Sequence, residues 1–166
     1  MTNLPNPRPD AFAPSDDQHH GGKTYCVPFA LAYILGCSYT TAEELVRLER
    51  NEHHDAAITG VSHRFWGPIL LEYANATLHA CDRKEWVAEF PDHNEFVNLG
   101  PTIAKWDREL PDDHRDQLKL VRMNRHVILV RGEQYLDNDT KTWLPLAEFP
   151  SRRSRVDFYY LIPNQD

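Results

Sequence analysis

The sequence predicts an α+β domain in which helices come first and antiparallel strands follow. Three observations carry this. Between Cys26 and Ala76 the apolar residues recur at helical spacing in three segments. From Leu118 onward they gather instead into short β-branched, aliphatic and aromatic runs separated by turn residues. Size supplies the third observation: 166 residues with 41% hydrophobic content make one domain, able to bury roughly two-thirds of its unfolded surface. Segregation of helices from strands gives a layer of helices on an antiparallel sheet.

Taken in order, Pro5, Pro7, Pro9 and Pro14 lie among Asn, Ser and Asp, a composition that nucleates no helix and carries little to bury. Residues 1–20 read as an extended Pro-rich arm and residues 21–166 as the single domain. The small, turn-forming run His19-His20-Gly21-Gly22-Lys23-Thr24 then gives way to Val27–Leu35, ended by Gly36. This is a helix with Cys26 at its start, where Pro28 is tolerated and the positive end of the helix favours thiolate over thiol. Cys26 is therefore a candidate nucleophile.

Thr40-x-x-Glu43 reads as a capping box opening a second helix, with Ala42, Leu45, Val46 and Glu49 along one side, ending near His53-His54. A third helix spans Ser62–Ala76 with Trp66, Ile69, Leu70 and Tyr73 as its buried stripe. Leu78–Cys81 is a short strand, and a helix from Pro101 buries Ile103, Trp106 and Leu110. Leu118–Met123 begins the main sheet and Val156–Ile162 supplies its last strand. Trp66 and Trp106 are assigned to the core, while Asp55 and His63 fall where a cleft wall is expected.

A nucleophile needs a base, and a histidine needs an acceptor on its far nitrogen. His126–Val130 and Gln134–Asp137 flank the turn residues Arg131-Gly132-Glu133 and read as a hairpin. With the turn centred on Arg131-Gly132, Ile128 faces Tyr135 and His126 faces Asp137, at about 5 Å between opposed side chains. A slip of one residue puts Asn138 in line instead.

Composition excludes several classes. A net charge of −7 argues against a nucleic-acid partner. No stretch approaches eighteen apolar residues, so no membrane span is expected. Three cysteines without motif spacing make no disulfide framework, and with no apolar leader visible the expectation is a cytoplasmic protein. Cys37 and Cys81 read as small hydrophobes. Nine histidines include none at paired zinc spacing, so neither metal nor cofactor is expected. The charges of Asp112–Asp116 and the arginines Arg152, Arg153 and Arg155 read as solvated loops.

The order Cys, His, then Asp or Asn about ten residues later resembles the papain-like cysteine peptidase superfamily. Cys26-x-Pro-x-Ala-Leu-Ala-x-Ile-Leu-Gly36-x-Ser38-Tyr39 is similar to the nucleophile helix of small viral and bacterial domains related to bacteriocin-processing (double-glycine) peptidases. Thr102-Ile103-Ala104-x-Trp106 and Arg125-His126-Val127-x-x-Val130-x-Gly132-x-x-x-x-Asp137-Asn138 are similar to their histidine hairpin. The resemblance covers most of residues 21–140. It implies a papain-like fold and a thiol hydrolase acting on a peptide or isopeptide bond of a protein or peptide substrate, with Cys26 as nucleophile, His126 as general base and acid, and Asp137 as orienter. Asn138 is the alternative orienter. The family's oxyanion-hole glutamine usually lies a few residues before the cysteine, whereas Gln18 lies eight before it, leaving the backbone N–H of Cys26 as the other donor. Two rivals share these residues: a transglutaminase-like acyltransferase, and a non-catalytic papain-fold protein that holds a host or partner protein. The viral relatives make a virus-encoded protein of the host cytoplasm, or a bacterial one, the expected source.

Overall fold

The computed structural model describes residues 24–51, 58, 60–81, 100–123 and 125–163; the Pro-rich arm, Gln18, His53, His54 and Asp55 lie outside them. Helix α1 (Cys26–Leu35) buries seven of its ten residues, so it is a central helix rather than an amphipathic surface one. Gly36 ends it in the left-handed conformation (φ 63°), and the N–H of Cys37 returns to the carbonyl of Ala32.

Helix α2 (Tyr39–Arg50) starts earlier than the expected capping box. Ser38 is its N-cap, with Oγ accepting from the N–H of Thr41 at 3.1 Å. Glu43 is thereby freed from capping and is buried, where its Oε2 accepts from the N–H of Ile58 at 3.2 Å and meets Arg47 at 3.6 Å. The helix ends at Arg50, short of the expected His53, because Asn51 adopts φ 53°. Helix α3 (His63–Tyr73) buries Trp66, Ile69 and Leu70 as expected, but Tyr73 is 52% exposed at its last turn.

Six strands follow: β1 (Thr77–Ala80), β2 (Leu118–Met123), β3 (His126–Arg131), β4 (Gln134–Leu136), β5 (Leu144–Pro145) and β6 (Val156–Ile162). They form one antiparallel sheet in the order β1-β6-β2-β3-β4-β5, so the chain's last strand lies inside the sheet, between its first and second. Alternate residues serve two cores. Leu120, Leu129, Phe158 and Tyr160 pack with α1, α2 and α3, whereas Val121, Ile128, Val130 and Tyr159 pack with Ile103 and Trp106 of helix α4 (Ile103–Glu109). Covering both faces makes β2, β3 and β6 continuous apolar runs rather than alternating ones.

Thr102 caps α4, its Oγ1 accepting from the N–H of Lys105. A short helix α5 (Asp112–Arg115) occupies the acidic stretch read as a loop. Lys119, fully buried on β2, closes its C-terminal end by donating from Nζ to the carbonyls of His114, Arg115 and Gln117 at 2.7–2.8 Å. No helix among the described residues is long and apolar enough to cross a membrane.

The hairpin differs from expectation in register. Arg131 pairs with Gln134, Val130 with Tyr135 and Leu129 with Leu136, so the two-residue turn is Gly132-Glu133 rather than Arg131-Gly132. Of these two only Gly132 has positive φ (55°), and a tight hairpin turn of that pattern takes its glycine at the first central position. The register is displaced by two residues, an even number, so side-chain alternation is kept. Asp137 follows the end of β4 and lies diagonal to His126 instead of opposite it.

Candidate active site

The segment leading into α1 is held from outside. Tyr25, the N-cap residue, has extended backbone (φ −107°, ψ 151°), and its own side chain makes no capping hydrogen bond. Instead, the N–H of Tyr25 donates to the hydroxyl of fully buried Tyr39 at 2.8 Å. Thr24 is fastened to the turn after β4: Asn138 Nδ2 donates to the carbonyl of Thr24 at 2.9 Å, and Thr24 Oγ1 donates to the carbonyl of Asn138 at 3.2 Å. Cys26, half-buried with a free thiol, follows this clamp directly. The first turn of α1 carries no acidic residue, so its exposed N–H groups meet no competing negative side chain within the helix.

His126 begins β3 with a third of its side chain exposed, and it meets both other members of the expected triad. Its Nε2 is 3.7 Å from Asp137 Oδ2, an ion pair slightly longer than a direct hydrogen bond. With Nε2 on the Asp137 side, Nδ1 is the nitrogen left to face the thiol of Cys26, which is close enough to favour the charged imidazole. Burial disfavours the imidazolium, but the contacts with Asp137 and Cys26 favour it and win, raising the pKa of His126 to about 9.

Asp137 is itself fixed. Its Oδ1 accepts from the N–H groups of Asp139 and Thr140, both at 2.9 Å, an Asx-type turn that leaves Oδ2 for His126. Burial would raise its pKa, yet His126 and those N–H groups together hold the carboxyl below its ordinary value. Of the two sequence candidates for orienter, Asp137 is thus the one beside His126, while the amide of Asn138 is spent on Thr24.

A cavity of about 410 Å³ opens beside Cys26 and His126. Pro28, Val61 and Val127 give it apolar wall, His63 and Trp66 line it from α3, and Arg122 and Arg125 bring positive charge from β2 and its turn. His63, expected at a cleft wall, is there, its Nε2 2.6 Å from the hydroxyl of buried Tyr160 and its ring 4.4 Å from that of Phe158. Trp66 is both core, as expected, and wall. Cys37 and Cys81 pack against the two cores.

Sequence reasoning missed Arg122. Its Nη1 donates to Asp157 Oδ2, the side chains being 8% and 2% exposed. The signal was present as opposite charges inside two apolar runs, Lys119 and Arg122 in Leu118–Met123 and Asp157 in Val156–Ile162, which is the pattern of a cross-strand pair. Among the described residues no group of three or more His, Cys, Asp or Glu is placed to hold a metal ion.

Comparison of the chain with protein families, with curated proteins and with solved structures yields no match.

Proposed function

We propose that the chain is a thiol hydrolase of papain-like arrangement that cleaves a peptide or isopeptide bond. The observation that carries this reading is the convergence of Cys26 and Asp137 on one imidazole, His126, from segments 100 and 11 residues away in sequence. The alternative assignment of the three as core or surface residues gives no account of a charged His126 held between them beside a cavity.

In the proposed cycle the Cys26 sulfur attacks the scissile carbonyl carbon while His126 holds the proton taken from the thiol. The tetrahedral oxyanion is met by the N–H of Cys26 at the helix start. Collapse breaks the carbon–nitrogen bond, and His126 passes its proton to the departing amine. Water then attacks the thioester with His126 as base, releasing the carboxylic acid and restoring the thiol. Asp137 keeps the imidazole oriented and stabilises its charge throughout.

Incubation with peptide and ubiquitin-like substrates, followed by intact-mass detection of an acyl group on Cys26, tests the reading. An adduct on the wild type that is missing in Cys26→Ala, together with release of acid in plain buffer, is the expected result. Product that requires an added amine instead assigns acyl transfer. A thiol that forms no adduct and alkylates at the rate of free cysteine removes the catalytic reading.

A further inference from the structure

The cavity beside Cys26 reverses the charge of the chain that builds it. The sequence carries 25 acidic against 18 basic residues, yet among the described residues no Asp or Glu lines the cavity, and Arg122 and Arg125 do. The two arginines differ in kind. Arg122 is more than nine-tenths buried, with Asp157 at Nη1 and the Phe158 ring 5.9 Å from its guanidinium carbon. Its Nε and Nη2 have no partner among the described residues. A guanidinium fixed at one end with donors left over is suited to receive a planar anion. Arg125 is exposed in the turn one residue before His126, at φ 64°, and has no ionic partner among the described residues.

The Nε and Nη2 donors of Arg122 are not fully buried, so they are open from the cavity to a ligand that accepts from them. Asp157 offsets the charge of Arg122, so an incoming group need supply only acceptors. Arg125 supplies the unbalanced positive charge. Beside the apolar wall at Pro28, Val61 and Val127, the two arginines are the cationic groups other than His126 placed to orient a substrate.

We infer that the cleft selects substrates bearing a carboxylate close to the scissile carbonyl, seated between Arg122 and Arg125. The inference rests on the thiol-hydrolase reading. The carboxylate comes either from an acidic side chain next to the cleaved bond or from a free C-terminus.

The test compares alkylation of Cys26 by iodoacetate and by iodoacetamide, in each of which the sulfur displaces iodide, and reads the ratio of the two rates within each variant so that a general change in thiol reactivity cancels. Arg125→Gln is expected to lower the iodoacetate-to-iodoacetamide ratio about fivefold, the size of one partly exposed charge contact. Lys105→Gln, on α4 across the sheet, serves as the charge control. Protection of Cys26 from iodoacetamide then identifies the source: acetyl-glutamyl-glycinamide presents only a side-chain carboxylate, acetyl-glutaminyl-glycine only a terminal one, and acetyl-glutaminyl-glycinamide neither. At least one acid is expected to protect where the neutral dipeptide does not, and Arg122→Lys, which keeps the charge and loses the fork, is expected to abolish that difference. Equal protection by all three, or a ratio unmoved in Arg125→Gln, overturns the inference while leaving the hydrolase reading in place. A Cys26 that reacts with both reagents at the rate of a free thiol fails the hydrolase reading, and the inference with it.

Discussion

Thr24 and Asn138 exchange two hydrogen bonds across 114 residues of sequence, each accepting at its backbone carbonyl from the other's side chain. One partner lies two residues before Cys26 and the other directly after Asp137. The clamp therefore fixes the segment of Cys26 against the turn of Asp137, and His126 lies between residues whose separation is set by this pair.

Asn138→Ala removes the donor to the Thr24 carbonyl and also the buried Asn138 Oδ1, which has no hydrogen-bond partner among the described residues. The stability cost is therefore expected to stay near 1 kcal/mol. The effect on the site is larger in kind. Alkylation of Cys26 near neutral pH should slow. A urea midpoint shifted with an unchanged alkylation profile would assign Asn138 to stability alone.

Asp137→Asn keeps an oxygen for the N–H groups of Asp139 and Thr140 but removes the charge facing His126. The turn should survive, and the imidazole pKa should fall from about 9 toward its ordinary 6.5. Following the His126 ring resonances by NMR across pH 5–10 checks this, and an unmoved midpoint would leave Cys26 as the sole source of the upward shift.

Proton linkage gives a stability prediction of definite sign. The folded-state pKa of His126 is raised from 6.5 to about 9, so the folded protein binds more proton than the unfolded chain between those values. Its stabilising contribution is complete below 6.5 and is lost as pH rises through 9. Urea midpoints of wild type should fall relative to His126→Ala over that window. On the thiol-hydrolase proposal, peptide cleavage should also decline above about 9, where His126 would no longer hold a proton for the leaving amine.

Arg122 and Asp157 predict the largest single loss. Asp157→Ala leaves a guanidinium buried without its counter-charge, and breaking a buried pair from one side costs about 3–5 kcal/mol. Replacement of both by apolar residues, Arg122→Met with Asp157→Leu, should recover much of that stability. Chemical denaturation of the three variants decides whether the pair is coupled, the double variant being less destabilised than the sum of the single changes.

Much of the fold was legible because its elements follow local rules. Cys26 opens a helix since an apolar run begins there and Gly36 ends it, and β2, β3 and β6 announce themselves as aliphatic and aromatic runs. His126 and Asp137 were paired from the hairpin pattern, although the register was two residues off. The turn was centred one residue early, and an even displacement preserves the alternation that brings the two together. What local rules could not supply were contacts between distant segments. Ser38 outcompeted Thr40 as a cap because Glu43 was needed in the interior for Ile58 and Arg47. The link from Asn138 to Thr24 and that from Tyr39 to Tyr25 join segments whose proximity exists only after folding. Asn138 resembled an orienter in sequence for the same reason that it became a clamp, since it is the neighbour of Asp137 in a turn that touches the nucleophile's segment.

The position of β6 sets a sequence of events in time. Strand β2 reaches β1 only through β6, and Val156–Ile162 are the last residues of the sheet to be synthesised. Cys26, His126 and Asp137 are all synthesised before β6, and closure of the sheet between β1 and β2 waits for it. Arg122 likewise waits for Asp157. A nascent chain thus reaches β6 with Arg122 lacking its counter-charge and β1 without its partner strand, and both are supplied in one step when β6 inserts.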